Sequence, residues 1–234
     1  MSVAVVTGAS RGLGRALALA LASRGWHLVI DARTSADLAA VASELDAGGA
    51  ASVTAVAGNV AEDEHRTRLV EAVDGLGSLD LLVNNASVLG PSPQPRLADY
   101  PIDVLAQVYG VNTLAALALS QALLPALRSS GGVLVNITSD AAVEPYDGWG
   151  GYGSSKAALD QISAVLAAEE PAISVYAFDP GDMRTRMHQE AFPGEDISDR
   201  PEPETVVPQL LRLVDELPPS GRYRAAELRE ANVA

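Results

Sequence analysis

Apolar, β-branched runs alternate with Ala/Leu-rich stretches along most of this chain, and that alternation leaves few folds open. Strand patterns fall at 2–7, 27–31, 52–57, 79–84, 131–138 and 172–178, with a short one near 222–225. Helical patterns fall at roughly 12–25, 35–47, 61–74, 101–129, 151–170 and 203–217. Leu81-Leu82-Val83 and Val133-Leu134-Val135 are apolar without alternation, the mark of strands covered on both faces. Repeating βαβ units predict a doubly wound α/β fold, with a seven-stranded parallel sheet and helices on both sides. A chain of 234 residues builds one such domain, 1–234, with a large core. The segment 186–207, rich in Pro, Gly and acids toward its end, reads as a lid over a site, because too little chain follows it to form a second domain.

Composition narrows the function. There is no cysteine, so disulfides, thiolate metal sites and cysteine nucleophiles are excluded. The three histidines, His27, His65 and His188, show no ligand spacing, and no metal is expected. The net charge of −14 disfavours nucleic acid and anionic membranes as partners. No basic leader precedes the first strand pattern, and the expectation is a cytoplasmic protein. The uncharged stretch from Val104 to Leu127 is long enough to span a bilayer. It carries Gln107, Asn112, Ser120, Gln121 and Pro125, however, and is read as a helix buried within a homodimer or homotetramer.

The first strand pattern runs into Thr7-Gly8-Ala9-Ser10-Arg11-Gly12-Leu13-Gly14 and then an Ala/Leu helix. Glycines there let the backbone turn tightly and approach a pyrophosphate, and the helix N-terminus offers free N–H groups. The spacing Gly-x-x-x-Gly-x-Gly differs from the commoner Gly-x-Gly-x-x-Gly.

This Thr-Gly-x-x-x-Gly-x-Gly turn resembles that of the short-chain dehydrogenase/reductase family, and further motifs of the family follow in order. Asn84-Asn85-Ala86-Ser87 stands where the family has Asn-Asn-Ala-Gly. Asn112 lies in the next helix, Asn136-Ile-Thr-Ser139 ends a strand, and Tyr152-Gly-Ser-Ser-Lys156 opens a helix. Pro180-Gly181 with Thr185 follows the sixth strand; beyond Thr185 nothing specific is recognised. The resemblance implies a Rossmann-type domain binding NAD or NADP, with a small carbonyl or alcohol as substrate. Two features of the sequence agree with it. Lys156 is the only lysine beside fifteen arginines, and five of the six asparagines (59, 84, 85, 112 and 136) fall on motif positions.

Carbonyl reduction needs a hydride donor, a proton donor and a group that holds the developing oxyanion. Tyr152 is the expected proton carrier, with Lys156 one helical turn on to draw its pKa down from about 10. Ser139 is expected to bond the substrate oxygen. The resemblance implies that Lys156 also bonds the nicotinamide ribose and that Asn112 completes a proton relay through water. It further implies that Thr185 bonds the carboxamide, that Asn59 and Val60 border the adenine, and that Gly8, Ser10, Arg11, Gly12, Leu13, Gly14, Asn85, Ala86, Ser87, Pro180 and Gly181 surround the cofactor. Asp140, Glu144, Tyr146, Trp149, Met187 and His188 are expected to wall the substrate pocket.

The sequence favours NADP over NAD. The family's NAD-selecting acid corresponds to Ala32, and Arg33 follows it where NADP enzymes place a cation for the 2′-phosphate. Asp31 also lies near the end of the strand, but side chains alternate faces, which turns it elsewhere. Arg11 is a second cation. A non-catalytic NADP-binding scaffold is the rival reading, and the intact Ser-Tyr-Lys set argues against it. The acids of the lid segment disfavour an acidic carrier protein as substrate.

Overall fold

The computed structural model describes residues 2–230. Its seven strands are β1 (Val3–Val6), β2 (His27–Ala32), β3 (Ser52–Ala57), β4 (Leu81–Asn84), β5 (Val133–Ile137), β6 (Ser174–Asp179) and β7 (Gly221–Arg224). All pair in parallel, in the order β3-β2-β1-β4-β5-β6-β7. The chain winds outward from β1 in one direction and then, from β4, in the other. That reversal opens a crevice at the C-terminal ends of β1 and β4, the usual ligand position in such sheets.

Alternation along each strand feeds two cores. Ala4, Val6, Leu28 and Ile30 pack against α1 (Gly12–Ala22), α2 (Ser35–Ala47) and α8 (Val207–Glu216). Val3, Val5, Val29, Leu82 and Leu134 pack on the opposite face, against α3 (Asp63–Asp74), α5 (Ala116–Ser130) and α6 (Gly150–Glu169). The expected bounds 35–47 and 52–57 coincide with α2 and β3.

Two expected helices are not continuous. The 101–129 pattern forms α4 (Ile102–Tyr109), a π-helical turn (Gly110–Ala115) and then α5. The 203–217 pattern begins as a 3-10 turn, Pro203–Thr205, before α8 starts. Short helices α7 (Arg186–Ala191) and α9 (Ala225–Glu230) were not legible as helices. At six residues each, they are too short for a hydrophobic period to show.

A buried polar ladder ties the two halves of the site together. Asn84 Nδ2 donates to Asn136 Oδ1 (2.8 Å) and to Ser120 Oγ (3.0 Å), and Asn136 Nδ2 donates to Ser163 Oγ (2.8 Å). It links β4, β5, α5 and α6, and so fixes the end of β5 against α6. On the outer side of the α4–α5 stretch, Ile102 is 76% and Leu114 59% exposed, near α6, which exposes Val165.

Candidate active site

The crevice is a cavity of about 1180 Å³. Its floor is the glycine turn, where Gly8 and Gly12 adopt φ of +66° and +55°. A Cβ on Gly14 would stand 2.5 Å from both Gly8 O and Asn85 Nδ2, so only glycine permits this packing. A Cβ on Gly12, in contrast, would meet only Thr185 Cγ2, at 3.6 Å. Asn85 Nδ2 donates to Thr7 O (2.8 Å) and Gly8 O (3.1 Å), and the amides of Asn85 and Ala86 both donate to Thr7 Oγ1 (2.9 Å). Asn85 therefore borders the cavity but spends its amide hydrogens holding the turn.

Asp31 holds the turn from the other side. Its Oδ1 accepts the Gly8 N–H at 2.6 Å, and its Oδ2 lies 2.9 Å from His65 Nε2. Asp31 is 2% exposed and His65 is fully buried. Arg68 closes the chain on His65 Nδ1 at 3.1 Å. Asp31 lines the cavity with both carboxylate oxygens already held by these partners. The role of His65 was not visible in sequence, since 34 residues separate it from Asp31.

Arg11 and Arg33 are exposed and border the cavity beside Ser10, Asn59 and Val60. Among the described residues they are the two arginines without an ion-pair or hydrogen-bond partner. The other thirteen are engaged, as in Arg15–Glu44, Arg128–Glu170 and Arg222–Asp160. Two free guanidiniums at one end of a cavity suit a phosphate group.

At the other end, Ser139, Tyr152 and Lys156 share one wall. Ser139 caps the 3-10 turn Asp140–Ala142, with its Oγ accepting from Ala141 N (3.2 Å) and donating to Asp140 Oδ1 (3.0 Å). Lys156 is 1% exposed; its Nζ donates to Ile137 O at 2.8 Å and lies 5.7 Å from the centre of the Tyr152 ring. Burial draws the Lys156 pKa down to about 8, against the pull of the Asp160 carboxylate.

Burial also pushes the Tyr152 phenol up. Hydrogen bonds with Ser87 and Ser139 oppose this, and the charges of Asp179 and Asp140 add to it. The expectation that Lys156 would draw Tyr152 down is therefore corrected for the protein by itself: burial holds the phenol above its ordinary value, and what opposes it comes from Ser87 and Ser139. A protonated phenol is the form that donates a proton.

Asn112 lies in the π-helical turn, a distortion frequent at functional sites. Its side chain does not reach the cavity. Oδ1 accepts from Val88 N (2.8 Å) and Ser87 Oγ (3.1 Å), while Nδ2 donates to Val88 O (2.9 Å) and Ser155 Oγ (3.0 Å). All its hydrogen-bonding capacity is engaged. Its Oδ1 holds the hydroxyl of Ser87, a residue expected at the cofactor; that hydroxyl, standing where the family has glycine, also lowers the Tyr152 phenol against burial.

The remaining expected cofactor residues, Gly8, Gly12, Leu13, Ala86, Pro180 and Gly181, border the cavity; Gly14 lies behind it. Thr185 caps α7 by accepting the His188 N–H (3.1 Å), which leaves its own O–H free to donate. On the substrate side Asp140, Trp149, Met187 and His188 line the wall as expected. Tyr146 and Glu144 do not: Tyr146 points outward and donates to Asp140 Oδ2 at 3.0 Å. Trp149 stands edge-on to Tyr152 (5.9 Å) and against Phe192 (5.8 Å), so α7 and the loop after it form the aromatic side of the mouth.

The family model described as short chain dehydrogenase matches residues 2–196. The chain is 37% identical over 201 residues to mouse sepiapterin reductase, covering 80% of this chain and 77% of that one. It is 38% identical over 187 residues to an uncharacterized oxidoreductase of Mycobacterium tuberculosis, covering 78% and 70%. A short-chain dehydrogenase structure from Shigella flexneri, complexed with NADP, superposes with a TM-score of 0.89 at 29% identity, covering 96% of this chain and 97% of that one. The chain belongs to the short-chain dehydrogenase/reductase family. It is an NAD(P)-dependent oxidoreductase.

The buried lysine has a measurable signature. Lysine ordinarily has a pKa near 10.5, and here it is about 8. Between those values the unfolded chain holds more protons, so stability rises with pH. Relative to Lys156→Met, the wild type should gain about 2 kcal/mol of unfolding free energy between pH 8 and 10, read by urea denaturation. A pH-independent difference would contradict a buried, depressed Lys156.

Proposed function

We propose that the protein is an NADP-preferring oxidoreductase that interconverts a small carbonyl compound and its alcohol, with Tyr152 as the acid/base group. The observation that carries this reading is the layout of one cavity. Ser139, Tyr152 and Lys156 line it beyond β5 and on α6, and the two unpaired arginines, Arg11 and Arg33, line it beyond β1 and β2, on the far side of β4. The NADP in the Shigella structure and the reductase name of the mouse relative point the same way.

The bound cofactor supplies or accepts the hydride. The chain does the rest. The glycine turn and the N-terminus of α1 hold the pyrophosphate, Arg11 and Arg33 bind the 2′-phosphate, and Asn59 and Val60 border the adenine. Lys156 bonds the ribose hydroxyls, and Thr185 donates to the carboxamide. In reduction, Tyr152 passes its proton to the carbonyl oxygen while Ser139 turns its hydroxyl from Asp140 toward the same oxygen. Proton resupply to Tyr152 runs by way of the Ser87 hydroxyl, which Asn112 Oδ1 orients. In oxidation Tyr152 must act as the base, and the positive charge of the oxidised nicotinamide favours that form. The segment 186–207 covers the substrate.

Tyr152→Phe should lose nearly all turnover yet still bind NADPH, as followed by nicotinamide fluorescence, while the outward-facing Tyr146→Phe stays close to wild type. A Tyr152→Phe variant with substantial kcat would refute the acid/base assignment.

The cofactor preference has its own test. A charge-assisted phosphate contact contributes roughly 1.5–3 kcal/mol, so Arg33→Ala should cut the NADP-over-NAD ratio of kcat/KM by about ten- to a hundred-fold. An unchanged ratio would remove Arg33 from the phosphate site.

The apolar face that α4, the π-helical turn and α6 leave exposed, with Ile102, Leu114 and Val165, is assigned to contact with a second copy of the chain. Light scattering at micromolar concentration should give a dimer or tetramer mass; a monomer would show that the face serves something else.

A further inference from the structure

β7 lies beyond residue 196, where the match to the family model ends, yet it sends one side chain back to the catalytic wall. Arg222 Nε donates to Asp160 Oδ2 at 3.0 Å, and its Nη2 donates to Ser139 O (2.9 Å) and Asp179 Oδ2 (3.0 Å). One guanidinium thus joins the end of β5, the end of β6 and the middle of α6. Each partner matters to the site. The Ser139 carbonyl belongs to the residue whose hydroxyl faces substrate. Asp179 accepts the Gly181 N–H at 3.0 Å, which shapes the loop toward Thr185. Asp160 lies one helical turn beyond Lys156 on α6.

We propose that Arg222 is a positioning residue for the catalytic site, fixing the main chain of Ser139 and neutralising the two carboxylates that flank the Tyr152–Lys156 pair. This rests on the reading of Tyr152 as the acid/base group.

The electrostatics require such a cation. Asp179 is 2% exposed, and its charge pushes the Tyr152 phenol up, while Asp160 raises Lys156. The charges that act on Tyr152 are Asp179 at the end of β6 and Asp140 after β5; Lys156 lies near its ring and Asp160 follows on α6, His188 of α7 lines the same cavity, and Arg222 and Arg224 of β7 reach Asp179. Arg224 approaches Asp179 only to 3.7 Å and is half exposed, so Arg222 carries most of the neutralisation. A lysine could keep the charge, but its single nitrogen cannot span partners that the guanidinium meets through Nε and Nη2.

The test uses Arg222→Met and Arg222→Lys with a ketone/alcohol pair that the wild type turns over, across pH 6–10. Arg222→Met should lower kcat about ten- to a hundred-fold, with a smaller change in KM for NADPH, because a misplaced constellation loses rate more than binding. Its oxidation limb should move to higher pH, since an unneutralised Asp179 favours the protonated phenol. Arg222→Lys should keep the wild-type limb with an intermediate kcat. A folded Arg222→Met with wild-type kcat, or with an unmoved limb, overturns the proposal; so does Arg222→Lys at full kcat if the methionine variant does not fold. If the wild type turns over no carbonyl or alcohol, the proposed function fails instead. Ultraviolet difference titration against Tyr152→Phe then still reads whether Arg222→Lys and wild type share a phenol pKa that Arg222→Met raises.

Discussion

Gly14 has no room for a β-carbon, because the first turn of α1 presses against Gly8 O and Asn85 Nδ2. The rest of the site depends on this close approach. It brings the turn after β1 against the end of β4, so the crevice between them has one shape. Asn85 and Thr7 close that contact with four hydrogen bonds, and Asp31 secures the turn from β2 through the Gly8 N–H. With backbone groups satisfied in this way, the turn is rigid before any ligand arrives, and little ordering cost remains for binding.

The catalytic end is organised differently. Its groups come from β5, α6 and β6, and their relative placement rests on buried polar side chains more than on backbone pairing. The Asn84–Asn136–Ser163 ladder sets β5 against α6, and the Lys156 ammonium reaches back to the Ile137 carbonyl. Such networks favour one arrangement of the elements they join, here even with Asn84 Oδ1 left without a partner. The same low-polarity surroundings raise the phenol and lower the ammonium, opposite shifts with a common cause.

The acidic chain shapes this site as well. Most arginines are already held by its many carboxylates, which is why the two free ones lining the cavity, Arg11 and Arg33, stand out. Near Tyr152 and Lys156, Asp140, Asp179 and Asp160 each have a partner, respectively the Tyr146 hydroxyl, Arg222 and Arg222. Carboxylates left unpaired beside Tyr152 would favour its protonated form.

The sequence by itself determined the sheet, its parallel order of construction and the location of the ligand end, because apolar period and glycine spacing are local properties. It also marked Ser139, Tyr152 and Lys156, since the family motifs and the lone lysine are written in the chain. Only the tertiary structure decided what those motifs touch. It turned Asn85 and Asn112 inward as structural clamps, moved Tyr146 out of the pocket, and gave Asp31 to His65. It also set the Tyr152 phenol above its ordinary value by burial, where the sequence led to a phenol drawn down by Lys156. Apart from Tyr146, which bonds nearby Asp140, the side-chain placements bring together residues distant in sequence, 34 residues apart for Asp31 and His65; the Arg222 contact with Ser139 spans 83. Neither desolvation nor a long-range partner leaves a periodic trace in the chain, so neither could be read before folding.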